Sequence, residues 1–352
     1  VIKSVHVIGP DETMKQQHRD SIESLVANFY YDQYRHFQDP QAPYFLFMSK
    51  DANLAMGVGG VIRMRGLYTW GNVIDANGFV PYLIPMKQNP AQKRKLTATP
   101  AGVSVFMTIL GRNTFAGRIK GFIQAGFSGY NNIDFKLKKA YVMVDDFTAG
   151  YTTSTFIDPA AQPSVIDGSG PNGLTDKTQV LVRYMHDFKE RWTVGGGVEI
   201  PSSPQLADDD VKTKAVSQYI PDVVAVGQYQ WDSGLSHVRL SGLLHFSSYR
   251  DLINSKNHTL AGYGAQLSAM VKVTPRATLY GQTVFGRGIS SFLGDLSADR
   301  FELIADPYTP GKMVAPEEFS YTLGARCYIL QQVYLDGGFA QVRFLPKVNP
   351  ND

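Results

Sequence analysis

From residue 54 to residue 345, apolar residues recur at every second position, in segments too long for an ordinary globular sheet. Period two is the signature of a strand with one apolar face. Thirteen segments carry it: 54–67, 101–112, 115–127, 132–144, 147–155, 178–188, 191–201, 220–232, 235–249, 258–273, 276–288, 316–330 and 333–345. Soluble domains use strands of about five or six residues, whereas a tilted strand needs ~9–11 to cross a bilayer. No apolar run in the chain approaches the ~18 residues of a membrane helix.

The links between these segments alternate in length. Tight ones fall at Arg112-Asn113-Thr114, Asp145-Asp146, Lys189-Glu190, Ser233-Gly234, Thr274-Pro275 and Gln331-Gln332. Between them lie 68–100, 128–131, 156–177, 202–219, 250–257 and 289–315, most of them much longer. Outer-membrane barrels have short periplasmic turns and long external loops. The expected fold class is therefore all-β: an antiparallel transmembrane β-barrel with a short N-terminal helix, of about sixteen strands when complete. Composition agrees. Charged residues make up 18% of the chain, against about 25% in an average domain, and aromatics make up 12%. Mean hydropathy is nevertheless −0.17, as expected when each strand is apolar on one face only.

Dimensions fit as well. Phe115 and Phe127 share parity, as do Tyr219 and Trp231, each pair twelve residues apart. At ~3.3 Å per residue that is roughly 40 Å of strand, or roughly 28 Å of height at a tilt of ~45°, close to the ~25 Å apolar band and its aromatic girdles. Thirteen is an odd number, and single-chain bacterial barrels are even. Further strands, preferably three, are expected beyond residue 352.

Residues 1–43 form a separate expected domain, with residues 44–352 as the barrel. Ile22, Leu25, Val26, Phe29, Tyr34 and Phe37 approximate helical spacing, which predicts a periplasmic helix ended by Asp39-Pro40 and Pro43. A coiled-coil stem would need three or four heptads, more than this segment holds. The single cysteine, Cys327, excludes an internal disulfide. A net charge of +3, without a zinc-finger or basic-helix pattern, points away from nucleic acid.

The parity opposite the apolar one carries twelve basic side chains: Arg63, Arg65, Arg118, Lys120, Lys136, Lys138, Arg183, Arg239 and Arg326, with Arg112, Arg191 and Arg276 nearer strand ends. Its acids are few: Asp134, Asp187, Glu199 and Asp336. A lipid-facing Arg or Lys costs about 2–4 kcal/mol at the midplane, so these residues belong on the lumen side. There their excess would concentrate anions. The alternative is a lumen whose cations are paired with acids and stiffen the wall. The expected function is thus a passive outer-membrane channel for small, preferentially anionic solutes; the alternatives are a structural or partner-binding barrel in a larger complex, with the N-terminal helix as its docking piece, and, behind it, an outer-membrane enzyme. Membrane lipid and lipopolysaccharide are its expected surroundings, and no cofactor, metal or enzymatic role is expected.

The loop after the fifth strand, FIDPAAQPSVIDGSGPNGLTD, is rich in Pro and Gly and carries Asp158 and Asp167. Folded inward, the two carboxylates would oppose a basic wall at a constriction; as an external loop, they would cap turns. His237 and His245 share the inward face of one strand, with no nucleophile spacing beside them. Gly57-Val58-Gly59-Gly60 leads into more strand and is not a dinucleotide loop. Gly195-Gly196-Gly197 suggests close strand packing. Asp208-Asp209-Asp210 is an exposed acidic loop before it is a calcium site.

The run AYVMVDDFTAGYTTSTFIDPAAQPSVIDGSGP, residues 140–171, resembles the DcaP-like porins of Gram-negative bacteria. The matching positions are Ala149, Gly150, Thr152, Ser154, Thr155, Phe156, Asp158, Pro159, Asp167, Gly170 and Pro171. The resemblance implies a sixteen-stranded barrel, usually a homotrimer, that takes up negatively charged small molecules such as dicarboxylates. Family members with an N-terminal coiled-coil stem have longer heptads than residues 11–37 provide.

Overall fold

A computed structural model describes residues 4–7, 45–49, 53–70, 86–87, 90–100, 102–114, 117–128, 134–163, 170–189, 191–208, 211–232, 235–294, 296, 301–330 and 333–345. All thirteen expected strands are present: β1 (Leu54–Val61), β2 (Ser104–Thr114), β3 (Gly117–Ser128), β4 (Asp134–Val144), β5 (Phe147–Thr153), β6 (Thr178–Phe188), β7 (Trp192–Glu199), β8 (Asp222–Trp231), β9 (Ser236–Asp251), β10 (Lys256–Thr274), β11 (Ala277–Arg287), β12 (Glu317–Leu330) and β13 (Val333–Leu345). The expected helix over 20–37 lies outside the described residues. Within the expected N-terminal domain, Ser4–Val7 is a strand, paired in parallel with Phe45–Met48.

Contacts divide the chain into two compact units, 1–152 and 153–352. In the first, Phe45–Met48, β1, β2, β3, β4 and β5 pair antiparallel in chain order. The segment 44–48, expected only to lead into β1, is thus itself a strand. The expected strand 54–67 is broken: β1 stops at Val61, and Arg65–Trp70 turns away to pair with Arg94–Thr99 in a separate hairpin. In the second unit β6 to β8, then β9 to β13, again pair antiparallel in order. β9 and β10 run past their neighbours, and the end of β9 also pairs with Thr213–Ala215.

The alternation of burial inverts that of a soluble protein. On β9, Val238, Leu240 and Leu244 are exposed while His237, Arg239, Ser241, His245 and Ser247 are buried. Facing β8 and β10 do the same: Val223 and Leu267 are exposed while Gln228, Gln230, Gln266 and Ser268 are buried. Water would penalise such an apolar face; hydrocarbon does not. One face of each strand is therefore matched to lipid, and the polar face is the one that positions chemistry.

Candidate pore constriction

The loop between β5 and β6 lies against the polar face of the second unit. Its first residues are bonded by their backbone. The Thr155 amide donates to Glu199 Oε1 at 2.6 Å, and Ser241 Oγ donates to the Phe156 carbonyl at 2.7 Å. Arg183 Nη1 donates to the Thr153 carbonyl at 3.3 Å, and Arg239 Nη2 donates to that of Thr155. Its far end is held the same way: Ser320 Oγ donates to the Gly173 carbonyl at 2.9 Å, Thr322 Oγ1 to that of Asn172 at 3.0 Å, and Thr175 Oγ1 to Gln266 Oε1 at 3.0 Å. Loop backbone without sheet partners must bond to something when buried. Here the short hydroxyls and amides on the polar parity of β9, β10 and β12 supply those bonds.

Asp158 anchors the middle of the loop. Its Oδ2 accepts from His237 Nε2 at 2.8 Å and from Ser268 Oγ at 2.6 Å, and its Oδ1 caps the Ala160 amide at 3.2 Å. Burial alone would raise its pKa. The charge and hydrogen bond of His237, the nearby Arg239 and the Ser268 hydroxyl outweigh that and hold it well below the usual carboxylate range. Wall glycines make room for the loop. A Cβ at Gly324 would stand 2.7 Å from Pro163 Cβ, and one at Gly264 would stand 3.2 Å from the Phe156 ring.

A second loop, between β11 and β12, packs on the first. Phe156 lies among Val224, Leu243, Val284, Ile289, Phe292, Leu293 and Leu296. Thr175 bridges to Leu293, the Asp176 amide donates to the Phe292 carbonyl at 3.0 Å, and Gly294 N donates to the Leu174 carbonyl at 2.8 Å. Lys177 Nζ donates to Ser291 Oγ at 2.8 Å and sits 4.0 Å above the Phe292 ring. Its burial lowers its pKa, against the pull of Glu302, Asp222 and Glu199. Glu318 Oε2 accepts from the Ile289 amide at 3.1 Å, which fixes the start of this loop.

Beneath both loops His245 stands between two acids. Its Nδ1 is 2.7 Å from Asp222 Oδ1, and its Nε2 is 2.5 Å from Glu302 Oε1. Carboxylates only accept, so either the ring carries a proton on each nitrogen or one acid carries it. For Glu302, burial works upward. The His245 bond and charge, the Lys177 charge and the Gln205 amide prevail and lower its pKa. Ser247 Oγ does stand 3.2 Å from His245 Nε2, a neighbour the sequence spacing did not disclose. It is only 3% exposed, and Glu302 holds that nitrogen more closely.

The residues singled out from the sequence separate into groups. Arg183 and Arg239 have the expected parity, but they are 2% and 0% exposed and their guanidinium groups hold the loop backbone. They are loop anchors under a cover, not residues open to a pore. Under the cover, the bases Arg183, Arg239, Lys177, His237 and His245 are gathered with the acids Asp158, Glu199, Asp222, Glu302 and Glu318, so the basic residues there do not stand alone. Arg326 makes a bidentate pair with Asp336, at 2.8 and 2.9 Å, across β12 and β13. Arg65 is in the hairpin and Arg63 is exposed in the link before it. Arg118 sits at the tight-turn end of β3, with its side chain 75% exposed and 3.7 Å from Asp145. Asp167 lies outside the described residues. Asp208 accepts from the Thr213 amide and hydroxyl at 2.6 and 2.7 Å, and Asp209 and Asp210 lie outside the described residues.

Lys120, Lys136 and Lys138 lie on β3 and β4 of the first unit. Cross-strand partners point to one face, so the register Lys120↔Met143, Gln124↔Lys139 and Gly126↔Lys136 places Lys139 and Lys136 on the face of Lys120, which also carries the buried Phe106, Phe122, Tyr141 and Met143; Lys120 itself is buried there. Lys138 is the extra residue of a bulge there, and its stem crosses Gly126 on that same face. Strict alternation put Lys139 with the lipid-facing residues; the bulge brings it inward. Lys136 also has Asp134 at 3.5 Å.

No protein-family model matches the chain, and neither does any curated protein. Among solved structures, the outer membrane channel DcaP of Acinetobacter baumannii matches with a TM-score of 0.68 and 18% identity, over 85% of this chain and 81% of that one. Two structures of OmpT of Vibrio cholerae, one lacking loop L8, match with TM-scores of 0.41 and 0.39 at 10% and 9% identity, over 83% and 82% of this chain and 95% and 88% of theirs. The resemblance read from residues 140–171 is thereby borne out at the level of the fold: this chain has the fold of bacterial outer-membrane β-barrel channels, with the lipid-matched strand face that such a membrane requires.

Proposed function

We propose that the chain is a passive outer-membrane channel for small, preferentially anionic solutes, dicarboxylates among them, constricted by the loops after β5 and β11. The observation that carries the anion preference is the group of lysines on one face of β3 and β4, Lys136, Lys138 and Lys139, with Asp134 3.5 Å from Lys136. Cations gathered on one wall of a narrow aqueous path raise local anion concentration and repel cations. The cluster under the loops supports a different role for the strands of the second unit, namely holding the constriction in shape. The residues expected to meet solute are therefore Lys136, Lys138 and Lys139; Lys120 is buried on the face that carries Phe122, Tyr141 and Met143. Assembly as a homotrimer belongs to the same proposal, as the resemblance implies.

Reversal potential across a planar bilayer in a salt gradient tests it. The wild type should pass anions in preference to cations, and K136E/K138E/K139E should lose or invert that preference. Cation preference in the wild type, or no conductance at all, overturns the proposal.

A further inference from the structure

The hairpin formed by Arg65–Trp70 and Arg94–Thr99 stands apart from the main sheet and belongs to no part of the constriction. Its register sets Gly66 opposite Ala98, Tyr68 opposite Leu96 and Trp70 opposite Arg94, all on one face. That face is open: Tyr68 is 52% exposed, Trp70 75% and Leu96 78%. The Tyr68 and Trp70 rings lie 5.4 Å apart, so the apolar surface is continuous. Arg94 shares that face beside Trp70, while Lys93 and Lys95 stand exposed on the opposite parity, with Thr69; among the described residues none is ion-paired to them. Over 61–100 the sequence holds Arg63, Arg65, Lys87, Lys93, Arg94 and Lys95 against a single acid, Asp75.

An exposed apolar face in water is a cost unless something covers it. The occupant follows from charge and position. The link between β1 and β2 leaves the sheet at the end opposite the tight turns, which in outer-membrane barrels is the external end. The surface there is an outer leaflet whose headgroups are phosphorylated glycolipids. Aromatic rings favour the level where sugar and acyl chain meet, and a cluster of lysines and arginines favours anionic headgroups. The geometry points to this hairpin as a docking site for the phosphorylated headgroup of outer-leaflet glycolipid, with Arg94 on the phosphates, Lys93 and Lys95 adding positive field from the other side of the same strand, and Tyr68, Trp70 and Leu96 against the sugar–acyl boundary. The assignment rests on the outer-membrane channel proposal for its orientation.

The test measures binding of bisphosphorylated lipid A and of its dephosphorylated form to the purified chain in detergent by native mass spectrometry, with bilayer conductance recorded on the same preparation. Each cation near an anionic leaflet is worth about fivefold in affinity, so K93E/R94E/K95E should bind the bisphosphorylated lipid at least about tenfold more weakly while conducting normally. Raising salt should weaken wild-type binding, since exposed charges are screened. Equal binding of the two lipids by the wild type overturns the proposal without recourse to any variant. So does a variant that keeps lipid binding but dissociates into smaller oligomers, which would mark the hairpin as a contact between copies of the chain. A preparation that binds the phosphorylated lipid selectively yet conducts nothing would defeat the channel proposal and leave this one standing.

Discussion

The two units apply one rule of parity to their polar faces and reach different ends. In the first unit, Lys136, Lys138 and Lys139 share a face of β3 and β4, with Asp134 3.5 Å from Lys136. In the second, the arginines of β6 and β9 sit under a loop that bonds to them and brings Asp158, beside the wall acids Glu199 and Asp222. A strand's alternation decides which way a side chain points. It does not decide whether water or a folded-in segment meets it there. Basic residues of one parity are therefore not one functional class. In the proposed channel, some would meet what passes, and others would hold what narrows the path.

The comparison breaks most readily at Asp158. Replacing it with Ala leaves His237 and Ser268 without their acceptor and the loop without its central anchor, and each buried polar group left unsatisfied costs roughly 1–3 kcal/mol. D158A should raise single-channel conductance by loosening the loop, with ion preference retained. Unchanged conductance in a planar bilayer would show that the loop does not set the width. Bulk on the wall should act in the same direction from the other side. G324L would drive a side chain into Pro163, and current through single channels should again increase.

Acid sharpens the contrast more gently. The folded-state pKa values of Asp158 and Glu302 are depressed, so their contribution is complete above the unfolded carboxylate values of about 4 and is lost as pH falls through the folded ones. Loop order, followed by proteolysis of the 154–177 segment in the folded chain, should hold at neutral pH and begin to fail only in strong acid. Cleavage that is already rapid at pH 6 would contradict it. The smallest effect is expected at Arg118. Its pairing with Asp145 is that of an exposed ion pair, worth about 0–1 kcal/mol, and R118E should leave the reversal potential where it was. A clear shift there would extend the basic group to the tight-turn end of β3.

Much of this fold was legible because period two survives over thirteen strands, and the expected bounds of 178–188 and 333–345 agree with β6 and β13 to the residue. The departures have local causes. The strand expected over 54–67 fails where Arg63 and Met64 leave the sheet and the chain begins its own hairpin. Lys139 was hidden by a bulge, which shifts parity without marking composition. The cover over Arg183 and Arg239 was invisible because it depends on bonds from wall hydroxyls to loop carbonyls, and a Ser or Thr on a polar face looks the same whether it meets water or backbone. Glu302 and Lys177 lie in loops, where no period assigns a face, so their meeting with His245 and Phe292 had no signal in the sequence. A faint one existed in the glycines of the polar parity. Gly264 and Gly324 sit where a segment must pass close to the wall.

The bonds that hold the first loop also impose an order of events. Its partners lie late in the chain: Ser268 is 110 residues beyond Asp158, Ser320 is 147 beyond Gly173 and Thr322 is 150 beyond Asn172. Contacts of such separation form slowly, after the local hairpins. Arg183 on β6 and Glu199 on β7 can hold its first residues, but its middle and far end have no fastening until β9, β10 and β12 are in place. During assembly, then, the chain passes through a stage with its wall built and its throat still wide, and the narrowing arrives as the closing step of biogenesis.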